Sequence, residues 1–534
     1  MVFGVHSEQE QEQEKDAGAG KKWAGNPHRS CAGGMGFGNY HKQRTQNGIM
    51  RKTLFVAALI LLTASIVQGE QKRPNILWIV GENFALDLGC YGEKLVATPN
   101  LDRLATVGVR YTKVYCTSPV CAPSRSAFMV GMYQTTTDTH HMRSHRDDDF
   151  RLPAGVRPIT HRLQDVGYFT ANIKTIGERV VGTGKLDLNF VNEGKLYQSD
   201  DWDKLKENQP FFAQINMPEA EYDIYDRKSA EKLRVKWVGE EWHPQVATPE
   251  NVTPPPYYPD HKIAREEWAR YLNSVSGTDV RIGWILEQLK NDGLADNTIV
   301  MFFGDNGRLE ARGIHWPFDS GLHVPMIIRW PRNHAAPKQI QPGKVDSRVI
   351  SLLDITATTL WMGGIERAAG MQSRQFLGDD ADPPRSFAFA ARDRIDETQV
   401  RMRSVHDSRY HYIRNFTPGA GFLTLNRYKE KCFLVKPLMR QLHQQGELTG
   451  PAADLMAPFP DEMLFDTHAD PHEIRNLAGS GKAVHREALI RLRTALDTWM
   501  TETGDRGHIP EPPGVVEPFV KEMDAWFGTP KWAR

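Results

Sequence analysis

"NILWIVGEN", residues 75–83, settles how this chain folds. A short continuous apolar run from Asn75 to Val80, broken by "GEN", predicts a strand buried on both faces that ends in a carboxylate and an amide, Glu82 and Asn83. "NTIVMFFGDNG", residues 297–307, repeats the plan with Asp305 and Asn306 at its carboxyl end. Around these runs lie helical patterns. "ATPNLDRLATVGVRYT" spaces Leu101, Leu104 and Ala105 as a helix does and stops at Gly108. "DVRIGWILEQLKNDG" puts Ile282, Ile285, Leu286 and Leu289 on one face, with Gly293 past its end. Strands alternating with helices predict an α/β sandwich with a largely parallel sheet, and such sheets carry their chemistry beyond the carboxyl ends of the strands.

The 534 residues exceed what one hydrophobic core organises, so a large domain over 73–366 and a smaller C-terminal one over 367–534 are expected. "VISLLDITATTLWMGGI" closes the first; "RYHYIRNF", "LFDTHADPHEIRNLA" and "REALIRLRTALDTWM" supply strands and a terminal helix for the second. "QVATPENVTPPPYYPD", residues 245–260, reads as a Pro-rich loop, either a surface connection or the border of a substrate cleft. Lys plus Arg and Asp plus Glu stand at 66 each, so no global field points to nucleic acid or an anionic membrane, and any anion recognition is local.

Residues 1–49 lack apolar periodicity and are expected to be a disordered or non-native extension. "MRKTLFVAALILLTASIVQG", from Met50 to Gly69, has the basic start, apolar run and small-residue end of a secretory signal. Its apolar run is shorter than the roughly 18 residues that spanning requires, so no stable membrane span is expected, and the protein is predicted to be secreted or periplasmic. Beyond that segment remain Cys90, Cys116, Cys121 and Cys432, too few in so long a chain for a disulfide scaffold.

One of these cysteines sits in "SPVCAPSRSAF", residues 118–128. Pro123 suits the first turn of a helix that runs to about Gly131, so Cys121 falls at the positive end of its dipole with Arg125 one turn along on the same side. That is a place for an anion beside a nucleophile. The oxygen-bearing pairs Glu82–Asn83 and Asp305–Asn306 suit a hard cation, Ca2+ or Mg2+, better than zinc.

CAPSR, as Cys121 to Arg125, resembles the CxPSR signature of formylglycine-dependent (type I) sulfatases. "RPNILWIV", "TPNLDRLATVGVRYT", "GMY", "FFGDNG", "GLHVPMIIRWP" and "LFDTHADPHEIRNLA" look like family segments in family order over residues 73–500. "SPVCAPSRSAF", "THHMRSH" and "DNG" are most similar to the heparan N-sulfatase (sulfamidase) group. The resemblance implies an alkaline-phosphatase-like α/β/α sandwich with a mixed, largely parallel sheet and a smaller C-terminal α+β domain. It implies Cα-formylglycine at 121, made by a maturation enzyme, whose hydrate attacks sulfur, and Ca2+ held by Glu82, Asn83, Cys121, Asp305 and Asn306. Catalytic roles fall on Cys121, Arg125, Lys185 and His315, the last as general acid; Lys174 is the fallback for Lys185. The substrate implied is a sulfated carbohydrate.

Departures from the family pattern stand at Asn83, Asp187, Glu221 and Ile314, with Arg312 and His315 flanking Ile314. His140, His141 and His145 are candidates for the pocket or its rim. The departures leave room for a non-catalytic protein of this fold that binds sulfated glycans, against which the intact CAPSR counts. A phosphoryl hydrolase of the same superfamily would use serine or threonine with paired zinc, and the cysteine counts against it.

Overall fold

Asn75–Gly81 (β1) and Thr298–Gly304 (β7) are strands buried at every position, and they lie side by side in parallel with Ile76 opposite Ile299 and Gly81 opposite Gly304. Phe211–Met217 (β6) flanks β1 on its other side, also parallel and wholly buried. Continuous apolar sequence therefore gives the sheet centre, since both faces are covered. The computed structural model describes residues 73–146, 148–217, 246–507 and 509–533. The extension 1–49, the signal segment 50–69 and Glu221 lie outside the described residues.

The large sheet adds β2 (Val109–Tyr115), β3 (Phe169–Ile176), β4 (Arg179–Val180), β5 (Ser199–Asp201), β8 (His323–Arg329), β9 (Lys344–Asp346) and β10 (Ile350–Ser351). Its order is β10-β2-β8-β7-β1-β6-β3-β4, with β5 on β3 and β9 on β2. β8 runs against both its neighbours and β4 against β3, while the other pairings are parallel, which makes the sheet mixed but largely parallel. A second, antiparallel sheet of four strands comes next in simple order: β11 (Ala388–Ile395), β12 (Thr398–His406), β13 (Tyr410–Asn415) and β14 (Glu462–Asp466). Residues 73–534 form one compact unit containing both sheets.

Helices cover the large sheet where the periodicity places them. Pro99–Val107 (α1) buries Leu101, Leu104 and Ala105. It ends at Gly108, where the backbone turns extended and a Cβ would lie 2.5 Å from the carbonyl of Ile328. Cys121–Val130 (α2) buries all ten of its residues, and Gly131, at φ 72°, closes it in the left-handed conformation. The amphipathic stretch from Asp279 is only the second half of a 30-residue helix, Lys262–Asn291 (α3); its first half carries Trp268, Tyr271 and Asn273, whose mixed polarity hides the 3.6 period. The Pro-rich loop does not stand open: Tyr257 and Tyr258 are buried, with Tyr257 Oη donating to Glu310 Oε1 at 2.5 Å and Tyr258 Oη accepting from the Arg312 N–H at 2.9 Å. "REALIRLRTALDTWM" lies in Ala483–Glu502 (α4), but another helix, Pro513–Phe527 (α5), comes after it. No helix among the described residues is long and apolar enough to cross a membrane, and Cys90, Cys116, Cys121 and Cys432 are all thiols.

Trp78 on β1 is the hub of one face, with Phe212 at 4.9 Å and Phe303 at 5.4 Å edge-on between ring centroids. On the other face α3 anchors α1 through Asp279, which accepts the N–H groups of Leu101 at 2.7 Å and Asn100 at 3.1 Å. Burial outweighs these bonds and raises the Asp279 carboxyl to about 6. Because the folded state then holds the proton more tightly than the unfolded chain, this group favours folding below the ordinary carboxyl range, and that contribution is lost as pH rises through about 6. Asp279→Asn cannot titrate. Denaturant unfolding should therefore show wild-type stability falling relative to this variant by on the order of 3 kcal/mol between about pH 4 and pH 7; a constant difference would show that the two N–H bonds cancel the cost of burying the charge.

Candidate active site

Because β1, β6 and β7 run parallel and in register, the residues just past their carboxyl ends emerge side by side. Asp305 N–H donates to the Gly81 carbonyl at 3.1 Å, Glu82 N–H to Met217 at 3.0 Å and Phe84 N–H to Asn306 at 3.0 Å, so the three strand ends are laced together. Gly304 permits the crossing, since a Cβ there would come within 2.5 Å of the Phe84 carbonyl. Asn83 takes the left-handed conformation (φ 55°), which asparagine tolerates, and donates its N–H to Asp305 Oδ1 at 2.9 Å. Asn306 Nδ2 reaches Asn83 Oδ1 at 2.9 Å. Glu82, Asn83, Asp305 and Asn306 thus form one buried group of oxygen-bearing side chains.

Helix α2 aims its first turn at this group. Ser124 Oγ donates to the Asp305 carbonyl at 2.6 Å, fixing the helix start. Arg125, fully buried, donates Nε to Asp305 Oδ2 at 2.9 Å and Nη1 to Asn216 Oδ1 at 2.7 Å. Its Nη2 lies 2.9 Å from Asp305 and 3.7 Å from Glu82 as an ion pair, yet makes no hydrogen bond among the described residues. Burial alone would weaken the guanidinium's hold on its proton; Asp305, Glu82, Cys121 and Asp187 outweigh it and keep the charge permanent. Lys185 Nζ stands 3.2 Å from Glu82 and 3.7 Å from Asp187, whereas Lys174 pairs with Asp200 away from this group.

Asp187, the position where the resemblance leads one to look for histidine, meets Cys121: its carboxylate is hydrogen-bonded to the thiol. It too has positive φ (49°), a strained setting for a residue at a reaction centre. Burial opposes its charge, but Lys185, Arg146, the Cys121 hydrogen bond and Arg125 hold the carboxyl well below its usual range.

The histidines stand further out. His315, also at positive φ (75°), donates its N–H to the Pro119 carbonyl at 2.7 Å and packs its ring against Tyr428. Burial first, then Lys429, Arg392, Arg143 and Lys436, push its proton affinity far down, so the imidazole is neutral. Ile314 is buried, and Arg312 binds the carbonyls of His472 and Glu473 and does not face Cys121. His145 is held by Asp148 and the Asp138 carbonyl, His141 by the Arg394 N–H and Glu511, and His140 leans 3.6 Å from Asp138. Their segment nevertheless comes close to it, since Met142 belongs to the same small apolar cluster as Val120, Cys121, Ala122 and Ile395.

The donor set can be tested against a divalent cation. Asn306 Oδ1 is buried and accepts no hydrogen bond among the described residues, an orphan acceptor that a cation would satisfy. Glu82, Asp305 and Asp187 face Arg125, Lys185 and Arg146, so the carboxylates are already balanced and it is the orphan amide oxygen that favours a cation. No group of three or more His, Cys, Asp or Glu among the described residues is arranged for a metal; what the site offers a hard ion is two carboxylates and two amide side chains.

Residues 74–365 match the sulfatase family. An ulvan-active sulfatase of Formosa agariphila is 32% identical over 474 residues, covering 82% of this chain and 77% of the relative. The chain belongs to the sulfatase family. Human N-sulphoglucosamine sulphohydrolase is 25% identical over 497 residues, 83% of this sulfatase and 93% of the relative. Among solved structures, a protein in complex with its substrate D-glucosamine-2-N,6-O-disulfate superposes with TM-score 0.55 at 16% identity, covering 82% of this chain and all 100% of the other. A 2-O GAG sulfatase gives 0.54 at 18%, covering 81% and 93%. These share the fold, the alkaline-phosphatase-like sandwich expected from the sequence. The chain is thus a sulfatase hydrolase.

Asn216 is the site residue that sequence reading passed over. It joins Arg125 to Asn172, through Nδ2 at 3.0 Å, and to the Lys185 carbonyl at 2.9 Å. Its signal is the pair of polar side chains in "FFAQINM", a strand otherwise apolar on both faces. Asn216→Ala leaves Arg125 Nη1 without an acceptor, and chemical denaturation should register a loss of on the order of 1–3 kcal/mol. Initial rates should fall at least about tenfold as the guanidinium loses its fixed orientation; unchanged turnover would show that Asp305 alone orients it.

Proposed function

We propose that this sulfatase hydrolyses a sulfuric ester or sulfamate on a sulfated carbohydrate, using residue 121 after oxidation of Cys121 to Cα-formylglycine, with Ca2+ held by Glu82, Asn83, Asp305 and Asn306 beside it. What supports the reading is the buried contact of the α2 start, carrying Cys121 and Arg125, with the carboxylates that end β1 and β7. The activities and ligands of the relatives, ulvan, N-sulphoglucosamine and a disulfated glucosamine, support a carbohydrate carrier.

In this reading the oxidised residue supplies the attacking oxygen, and the cation supplies positive charge to the sulfate oxygens. The protein's own groups do the rest. Arg125 Nη2 and Lys185 Nζ offer donors to the equatorial oxygens, where charge is held in the transition state. Asp187 orients the residue-121 hydroxyl by accepting its hydrogen bond, as it accepts the thiol's here. His315, kept neutral by burial first and then by its cationic neighbours, offers a ring N–H to the leaving atom. Residues 73–366 form the catalytic domain in this reading and 367–534 the smaller one. Export to a secreted or periplasmic location, and maturation by a formylglycine-generating enzyme, complete it.

Intact-peptide mass of the segment spanning Cys121, from native cells, should show the conversion of thiol to aldehyde; unmodified thiol throughout would sink the proposal. Sulfate release from a panel of sulfated glycans should fall on chelation and return with Ca2+, and Arg125→Ala should lower it by about 100-fold or more.

A further inference from the structure

A cation next to the reaction centre lacks an anionic partner among the described residues. Arg392, on β11, is 2% exposed, about as deeply buried as Cys121 at 5%. Its Nε and Nη1 make no hydrogen bond among the described residues, and no carboxylate there forms an ion pair with it. The neighbouring Asp393 is committed to Arg403 at 3.1 Å. The guanidinium instead lies over the Trp316 ring, 4.1 Å from its centroid. A buried arginine usually has its donors satisfied, so two idle N–H groups call for an acceptor.

The position of Arg392 says which acceptor. Its strand runs beside the chain that leads into Cys121: Ala391 N–H donates to the Thr117 carbonyl at 2.9 Å, Met142 N–H to the Arg394 carbonyl at 2.9 Å, and Ile395 shares a small apolar cluster with Val120, Cys121 and Ala122. Trp316, under the guanidinium, is next in sequence to His315, which is tied to Pro119. The charges around His315 are all positive: Lys429, Arg392, Arg143 and Lys436. Three of these have partners, since Lys429 binds the carbonyls of Glu310 and Ile314, Arg143 binds Asp396, and Lys436 binds Glu430. Arg392 alone of the four makes no ion pair among the described residues, and burial, only partly offset by the nearby charge of Asp393, loosens its proton to about 9.

We propose that Arg392, with His315 beside it, forms a subsite for a second anionic group of the substrate, a sulfate or carboxylate carried near the group being hydrolysed. The inference rests on the proposed sulfatase reading and deepens it to polyanionic glycans. A guanidinium offers two N–H donors to such an oxyacid group, and Trp316 holds its plane from behind.

The test uses the full chain with Cys121→Ala, so that substrate stays intact, and measures binding of D-glucosamine 6-sulfate against D-glucosamine-2-N,6-O-disulfate by calorimetry. A second pair, a 6-sulfated hexosamine with and without an attached glucuronic acid, separates a carboxylate from a sulfate. The parent should prefer the doubly charged member of at least one pair by about tenfold or more. Arg392→Met should erase that preference while leaving the monosulfate affinity within about twofold, and Arg392→Lys should keep part of it. Equal weakening of both members by Arg392→Met, or no preference in the parent, overturns the subsite. Should Arg392→Met fail to fold, the same comparison on Arg392→Lys decides, because a purely structural cation–π role predicts no change in preference. Absence of sulfate release by the wild type across the panel would instead strike the parent reading.

Discussion

The buried grip of Arg125 on Asp305 and Asn216 is the interaction on which the rest depends. One guanidinium, buried on a helix, is held by Asp305 on one side and Asn216 on the other, and so locks α2 to the carboxyl ends of β6 and β7 at once. Taking such a charge out of water costs several kcal/mol unless its partners are in place, so helix and strand ends are ordered together or not at all. The first turn of α2 has no side-chain cap of its own and is fixed instead by Ser124 on the Asp305 backbone. Stability and reactive geometry therefore share the same atoms.

Parallel register does the complementary work. With Gly81 opposite both Gly304 and Met217, the residues beyond the strands emerge at one level, and short side chains suffice to bring Glu82, Asp305 and Asn306 together. Longer groups, Lys185 and Arg125, then reach in from a loop and a helix. A one-residue slip in either strand would turn its carboxylate to the opposite face.

How far the sequence can be read depends on that construction. Wherever chemistry lies directly after a buried strand or at a helix start, the apolar run and its punctuation locate it, as with Glu82, Asn83, Asp305, Asn306, Cys121 and Arg125. Residues that meet the site through tertiary folding carry no such marker. Asn216 sits inside a strand as an oddity, Asp187 reaches Cys121 from a loop by a strained backbone, and Arg392 arrives from a different sheet. The long helix α3 is half legible for a similar reason: its first half packs on several elements, and its polarity matches those neighbours more than a single face.

Helix α2 has no solvent side. All ten of its residues are covered, and the cysteine at its head is nearly so. Another protein that must grip the CAPSR segment to alter its thiol could not do so once β1 and β7 have closed over it. In the proposed reading, oxidation of Cys121 therefore has to come before compaction, and a chain that folded too soon would be intact, stable and silent.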